Sequence, residues 1–147
     1  MALAAPAFAQ KADPQDPQNI EKGKQLLRQV VEARGGAAYL NFNTMVATGQ
    51  YTPFDQGVST TPMPFIDYVV YPDKERVDFN YKKKMKDRKI QVNAGTTGWT
   101  YDGDAQVLKE QDEKQIRSFL EGLETDLDHV MRDALKKPGV EVRFFGR

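Results

Sequence analysis

Apolar residues in this chain change their spacing twice, from a helical period to a period of two and back. That double switch restricts the fold to helices packed with a sheet built from consecutive strands. Ile20, Leu27, Val30 and Val31 fall on one side at helical spacing, with Gly23 and Arg34 near the same line. Asn19 or Asp16 can cap this helix, and Gly35-Gly36 ends it, because glycine enters the left-handed region without a Cβ clash. After AAYLNF the period becomes two: Met45, Ala47, Gly49 and Tyr51 share one face, and Val77, Phe79 and Tyr81 another. The segments TMVATGQYTP, PFIDYVVYPD, KERVDFNYKK, RKIQVNAG and GWTYDG predict five short strands in an antiparallel meander. The helical period then returns from Glu110 to Lys137, with a break expected near Gly122 or Thr125. Pro138-Gly139 stops it, and VEVRFF reads as a last edge strand whose apolar face expects neighbours.

The ends bear on organisation. MALAAPAFAQ is apolar and uncharged, and Ala7-Phe8-Ala9 has the small-x-small pattern read by a signal peptidase. Residues 1–9 are therefore expected to be a signal-peptide remnant cut before Gln10, residues 10–18 a linker, and residues 19–147 one domain, incomplete at its C-terminal end. Export implies a periplasmic location. Lysine plus arginine equals aspartate plus glutamate at 21 each, a balance unsuited to gripping nucleic acid through phosphates. With no cysteine there is no disulfide and no thiolate metal site. No apolar run approaches the roughly 20 residues that span a bilayer.

Candidate chemistry is sparse. His129 is the only histidine, with Asp126 three residues before it and Asp133 four after, on one helical flank. A metal would need further ligands, and none is signalled. Asp102-Gly103-Asp104 reads as a tight turn, since the 12-residue calcium-loop pattern is missing. No phosphate loop or nucleophile elbow is present, so no catalytic residue, cofactor or metal is assigned. The run Lys82 to Lys89 holds six basic residues against Asp87. It reads either as a solvated hairpin tip or as a contact for an acidic partner or anionic lipid headgroups. The aromatic residues of the strand region can pack solidly on the later helix or line a hollow beneath it. The candidate lining is Tyr51, Phe65, Ile66, Tyr68 and Val70 from the first two strands, and Phe79, Ile90 and Trp99 from the next three. Phe119, Leu123 and Leu127 come from the helix. In PFIDYVVY both parities are apolar, and Ile66, Tyr68 and Val70 are taken inward because the other set contains Asp67, with Phe65 kept as a rim position.

The order of these parts resembles the periplasmic lipoprotein carriers, the LolA/LolB-like outer-membrane lipoprotein-sorting family, over about Ile20 to Arg147. Pro72-Asp73-Lys74-Glu75-Arg76 looks like that family's P-D-x-x-R strand start, and Gly98-Trp99 like its glycine-to-tryptophan turn. The resemblance implies an α+β fold in which a curved antiparallel sheet, a half-barrel, wraps around helices. C-terminal strands missing from this chain would complete that sheet. It further implies a non-catalytic carrier whose apolar cavity holds lipoprotein acyl chains or another lipid. No residue here clearly matches the arginine that latches the lid in those carriers. Two other readings stand beside it: a small cone-shaped α+β enzyme using His129 with Asp126 or Asp133, and a protein-binding sensor domain on the same scaffold.

Overall fold

The computed structural model describes residues 16–134, 136 and 138–146, with only the backbone of Asp133 and Ala134. The expected signal-peptide remnant and most of the expected linker lie outside the described residues. The chain forms two compact units, Phe42–His129 and the remainder, dividing between His129 and Val130.

The first unit begins with α1 (Pro17–Ala33), two residues ahead of the expected linker boundary. Asp16 rather than Asn19 is its cap: the carboxylate accepts from the Gln18 N–H at 2.9 Å, and Pro17 occupies the first turn, where a missing N–H costs nothing. Gly35 and Gly36 have φ of +117° and +58°, and their N–H groups bond back to Glu32 and Val31. A short helix, α2 (Ala37–Asn41), follows in place of an irregular connector. Among the described residues, Val31, Tyr39 and Met131 are the buried apolar side chains of this unit. VEVRFF is not a strand. The Phe144 N–H bonds to the Asn19 carbonyl at 2.9 Å, and Lys22 Nζ lies 3.7 Å from the Phe144 ring centre. Gly23 permits this: a Cβ there would sit 2.9 Å from Val142 O and Arg143 C. The segment's apolar alternation is thus used against a helix, without a sheet ladder.

The second unit holds a six-stranded antiparallel sheet in the order β1-β4-β5-β6-β7-β8. Its strands are β1 (Thr44–Tyr51), β4 (Met63–Val70), β5 (Lys74–Phe79), β6 (Lys89–Ala94), β7 (Thr97–Asp102) and β8 (Val107–Glu110). A separate hairpin, β2 (Phe54–Asp55) with β3 (Val58–Ser59), sits between β1 and β4. The expected meander of five strands is present, extended by β8, and the sheet is not closed into a barrel. Directly paired residues share a face, and the registers place Met45, Ala47, Gly49, Phe65, Asp67, Val69, Glu75, Val77 and Phe79 on one side. The Phe65 ring lies over its partner Gly49, where a Cβ would come within 2.8 Å of the ring.

The long helical segment is two helices, α3 (Glu113–Thr125) and α4 (Leu127–Ala134). Asp112 and Gln115 form a reciprocal capping box at the start of α3. The break falls at Asp126, next to the expected Thr125. Its carboxylate accepts from the His129 N–H at 2.9 Å, an N-cap bond that competes with helix continuation.

Candidate functional site

In the second unit a cavity of about 330 Å³ lies between the sheet and α3. Met45 and Val69 from the sheet and Phe119 and Leu123 from α3 supply its apolar walls. Asp67, Glu75, Asp126 and His129 reach the same cavity from β4, β5, the α3–α4 break and the first turn of α4. Asp67 opposes Val77 and Glu75 opposes Val69, so the two acids are diagonal neighbours on one sheet face.

The acids differ in electrostatic state. Burial pushes the Asp67 carboxyl up, the Asp126 charge adds to this, and the Tyr68 N–H opposes it. Asp67 Oδ1 is buried with no hydrogen-bond partner among the described residues. The Glu75 carboxyl is pushed up to about 6 by burial and by the charges of Asp67 and Asp126, with His129 acting the other way. For Asp126 burial is also the largest influence and would raise it. Hydrogen bonds from the His129 ring and backbone outweigh burial and hold that carboxyl below its usual range.

His129 is fixed at both ring nitrogens. Nδ1 lies 2.8 Å from Asp126 Oδ2, and Nε2 lies 2.7 Å from the Pro72 carbonyl oxygen. The Tyr71 ring packs against it with centroids 4.7 Å apart. Both oxygens are acceptors, so the two bonds are complete when both nitrogens carry hydrogen. In that state the ring is a cation beside three carboxyls, with no lone pair left to take a proton from a ligand.

A second cavity of about 540 Å³ shares Glu75, Ser118 and Phe119 with the first and is edged by Gln91, Asn93, Gln111 and Gln115. Its amides are largely used on one another. Asn93 Nδ2 donates to Gln111 Oε1 at 2.7 Å, and Gln115 serves the α3 capping box. Gly98 makes room for this pair, since a Cβ there would lie 2.6 Å from Gln111 Oε1.

The sequence-predicted lining residues divide. Phe119 and Leu123 border the first cavity. Tyr51, Phe65 and Phe79 share its sheet face and cluster together, with Tyr51–Phe79 and Phe65–Phe79 centroids 5.5 and 6.4 Å apart. Ile66, Tyr68, Val70, Ile90 and Trp99 lie on the opposite face, and Leu127 is exposed. The inward assignment of Ile66, Tyr68 and Val70 is therefore corrected: Phe65, Asp67 and Val69 face α3. A carboxyl excluded from a filled core is accommodated at the wall of a cavity. The same parity that points Val77 and Phe79 inward also points Glu75 there, so that residue was legible in KERVDF.

Of the proposed histidine pairs, Asp126–His129 is formed, while the Asp133 side chain lies outside the described residues. Among the described residues no group of three or more His, Asp or Glu side chains is arranged to hold a metal ion. No helix among them is long and apolar enough to cross a membrane. The fold and cavity define an α+β unit with an open antiparallel sheet and a helix over a small, partly acidic pocket. Comparison with family models, curated proteins and solved structures gives no match.

Proposed function

We propose that the chain is a non-catalytic binding protein that holds an acyl chain or similar apolar ligand between the sheet and α3, as a periplasmic carrier in lipoprotein sorting does. The observation that carries this reading is the cavity walled by Met45, Val69, Phe119 and Leu123. Its volume of about 330 Å³ is at the small end of ligand pockets, enough for part of one chain. Each buried CH₂ contributes about 0.8 kcal/mol. The half-barrel of the lipoprotein carriers belongs to the same proposal. An open meander with a helix across one face is compatible with it.

The acids fit this reading on one condition. Asp67 and Glu75, both raised, go neutral at modest cost when an apolar chain displaces water, so affinity rises as pH falls through about 6. Catalysis by His129 and Asp126 has less support, because both imidazole nitrogens are spent on Asp126 and Pro72.

Titration with a fluorescent fatty acid tests the proposal. Trp99 is on the opposite face, so the probe's own emission is the readout. Saturable binding is expected, with loss in Leu123→Glu, whose fold is checked by circular dichroism. Absence of saturable binding, or equal binding by a folded Leu123→Glu, overturns the proposal.

A further inference from the structure

The cavity does not use the basic loop, and the sheet topology gives that loop a setting the sequence did not reveal. In an antiparallel meander alternate connections emerge at one end. The β2–β3 hairpin, the β5–β6 loop and the β7–β8 turn all leave the same end of this sheet, opposite the β4–β5 turn that borders the cavity. Two kinds of side chain are concentrated there.

The first kind is apolar and exposed. Phe54 and Val58 on the hairpin are each 69% exposed, and Met85 in the loop is 50% exposed. The hairpin turns at Gln56 and Gly57, both with positive φ, the geometry of a tight two-residue connection. A Cβ on Gly57 would meet nothing within 4 Å. A two-strand hairpin that shields neither of its apolar side chains contributes little to a core, and because Phe54 pairs with Ser59 and Val58 with Asp55, the two point to opposite faces and flank the tip on both sides.

The second kind is basic. Lys82, Lys83, Lys84 and Lys86 are exposed, and none forms an ion pair among the described residues. Their loop is preformed. Arg88 Nε donates to the Lys83 carbonyl at 2.8 Å, its N–H bonds to Met85 O, and the Gly103 N–H bonds to Arg88 O. A side chain at Gly103 would fall on the Met85 carbonyl oxygen, so the β7–β8 turn and the loop can pack only with glycine there. The acids at this end are Asp55, Asp87, Asp102 and Asp104. Asp102 is occupied by the backbone N–H groups of Asp104 and Ala105.

We propose that this end of the sheet docks on an anionic lipid surface, with Phe54, Val58 and Met85 entering the headgroup layer and the four lysines facing the lipid phosphates. Apolar side chains and long cationic side chains at one end of the sheet match an interface that is anionic outside and apolar beneath. A protein surface laid on one face of the hairpin would cover Phe54 or Val58 but not both, whereas a lipid layer entered tip first takes both. The inference is independent of the cavity reading, whose residues lie at the other end.

Vesicle co-sedimentation of the full chain tests it, using phosphatidylcholine alone and phosphatidylcholine with phosphatidylglycerol. Binding is expected only to the anionic vesicles, and to weaken with salt. At roughly fivefold per lysine near such a surface, the combined Lys82→Gln, Lys83→Gln, Lys84→Gln, Lys86→Gln variant loses roughly six hundredfold in partitioning. Phe54→Ser with Val58→Ser loses about tenfold through reduced apolar insertion. All six positions are exposed, and circular dichroism confirms that the variants remain folded. Equal binding to both vesicle types, no binding by the wild type, or full binding by either folded variant overturns the proposal.

Discussion

Replacing Glu75 by glutamine keeps the shape of the side chain and removes its ionisation, and the consequence depends on pH in a defined direction. In the unfolded chain this carboxyl titrates near 4.5, and in the folded protein near 6. Below about pH 4.5 it is protonated in both states and contributes no difference. As pH rises the unfolded chain ionises first, so the folded state loses ground, and above about pH 6 the whole cost is present. At about 1.4 kcal/mol per pH unit, the rise amounts to about 2 kcal/mol for a fully shielded group. Glu75 is only partly buried, so solvent screening reduces this to roughly 1 kcal/mol. Glu75→Gln should therefore match the wild type near pH 4 and exceed it by about 1 kcal/mol near pH 8. Urea unfolding followed by far-ultraviolet circular dichroism reads this directly. With a slope of about 2 kcal/mol per molar urea, the midpoint moves up by about 0.5 M at the higher pH. A difference that is the same at both pH values, or that favours the wild type at high pH, would refute the account of Glu75 as an acid strained by burial and by Asp67 and Asp126.

The neighbouring groups give three more expectations. His129→Ala removes the cation that opposes the rise at Glu75, so carbon-13 NMR titration should place that carboxyl above about 6; an unchanged value contradicts the coupling. Phe119→Ala and Leu123→Ala should each cost less than about 2 kcal/mol in chemical denaturation, against roughly 2–5 kcal/mol for truncation in a filled core, because both side chains border empty space. Asp112→Ala removes the carboxylate arm of the α3 capping box and leaves the backbone N–H arm to Gln115; it should lower stability by about 1 kcal/mol, whereas a neutral outcome would mean that the start of α3 does not depend on that carboxylate.

Where structure follows from neighbouring residues, the sequence was sufficient. The glycine pair that ends α1, the one-faced alternation of β1 and β5, and the interruption beside Thr125 all depend on interactions within a few residues. The hairpin at Phe54–Ser59 and the strand β8 had local signals too: Gly57 between two short apolar-containing pairs, and Val107-Leu108 after an Asp-Gly turn. Tertiary structure decided what periodicity leaves equal. In β4 either parity offers an apolar face, and the register against β1 and β5 selected the one containing Asp67 by pairing Phe65 with Gly49 and Phe79. VEVRFF alternates like a strand but packs beside α1 because Gly23 admits its backbone. The acidic cavity is likewise an outcome of long-range pairing. Asp67, Glu75 and Asp126 are scattered through the chain, and their carboxyls perturb one another only because adjacent strands and a helix break bring them to one wall, where burial strengthens charge interactions that water would otherwise screen.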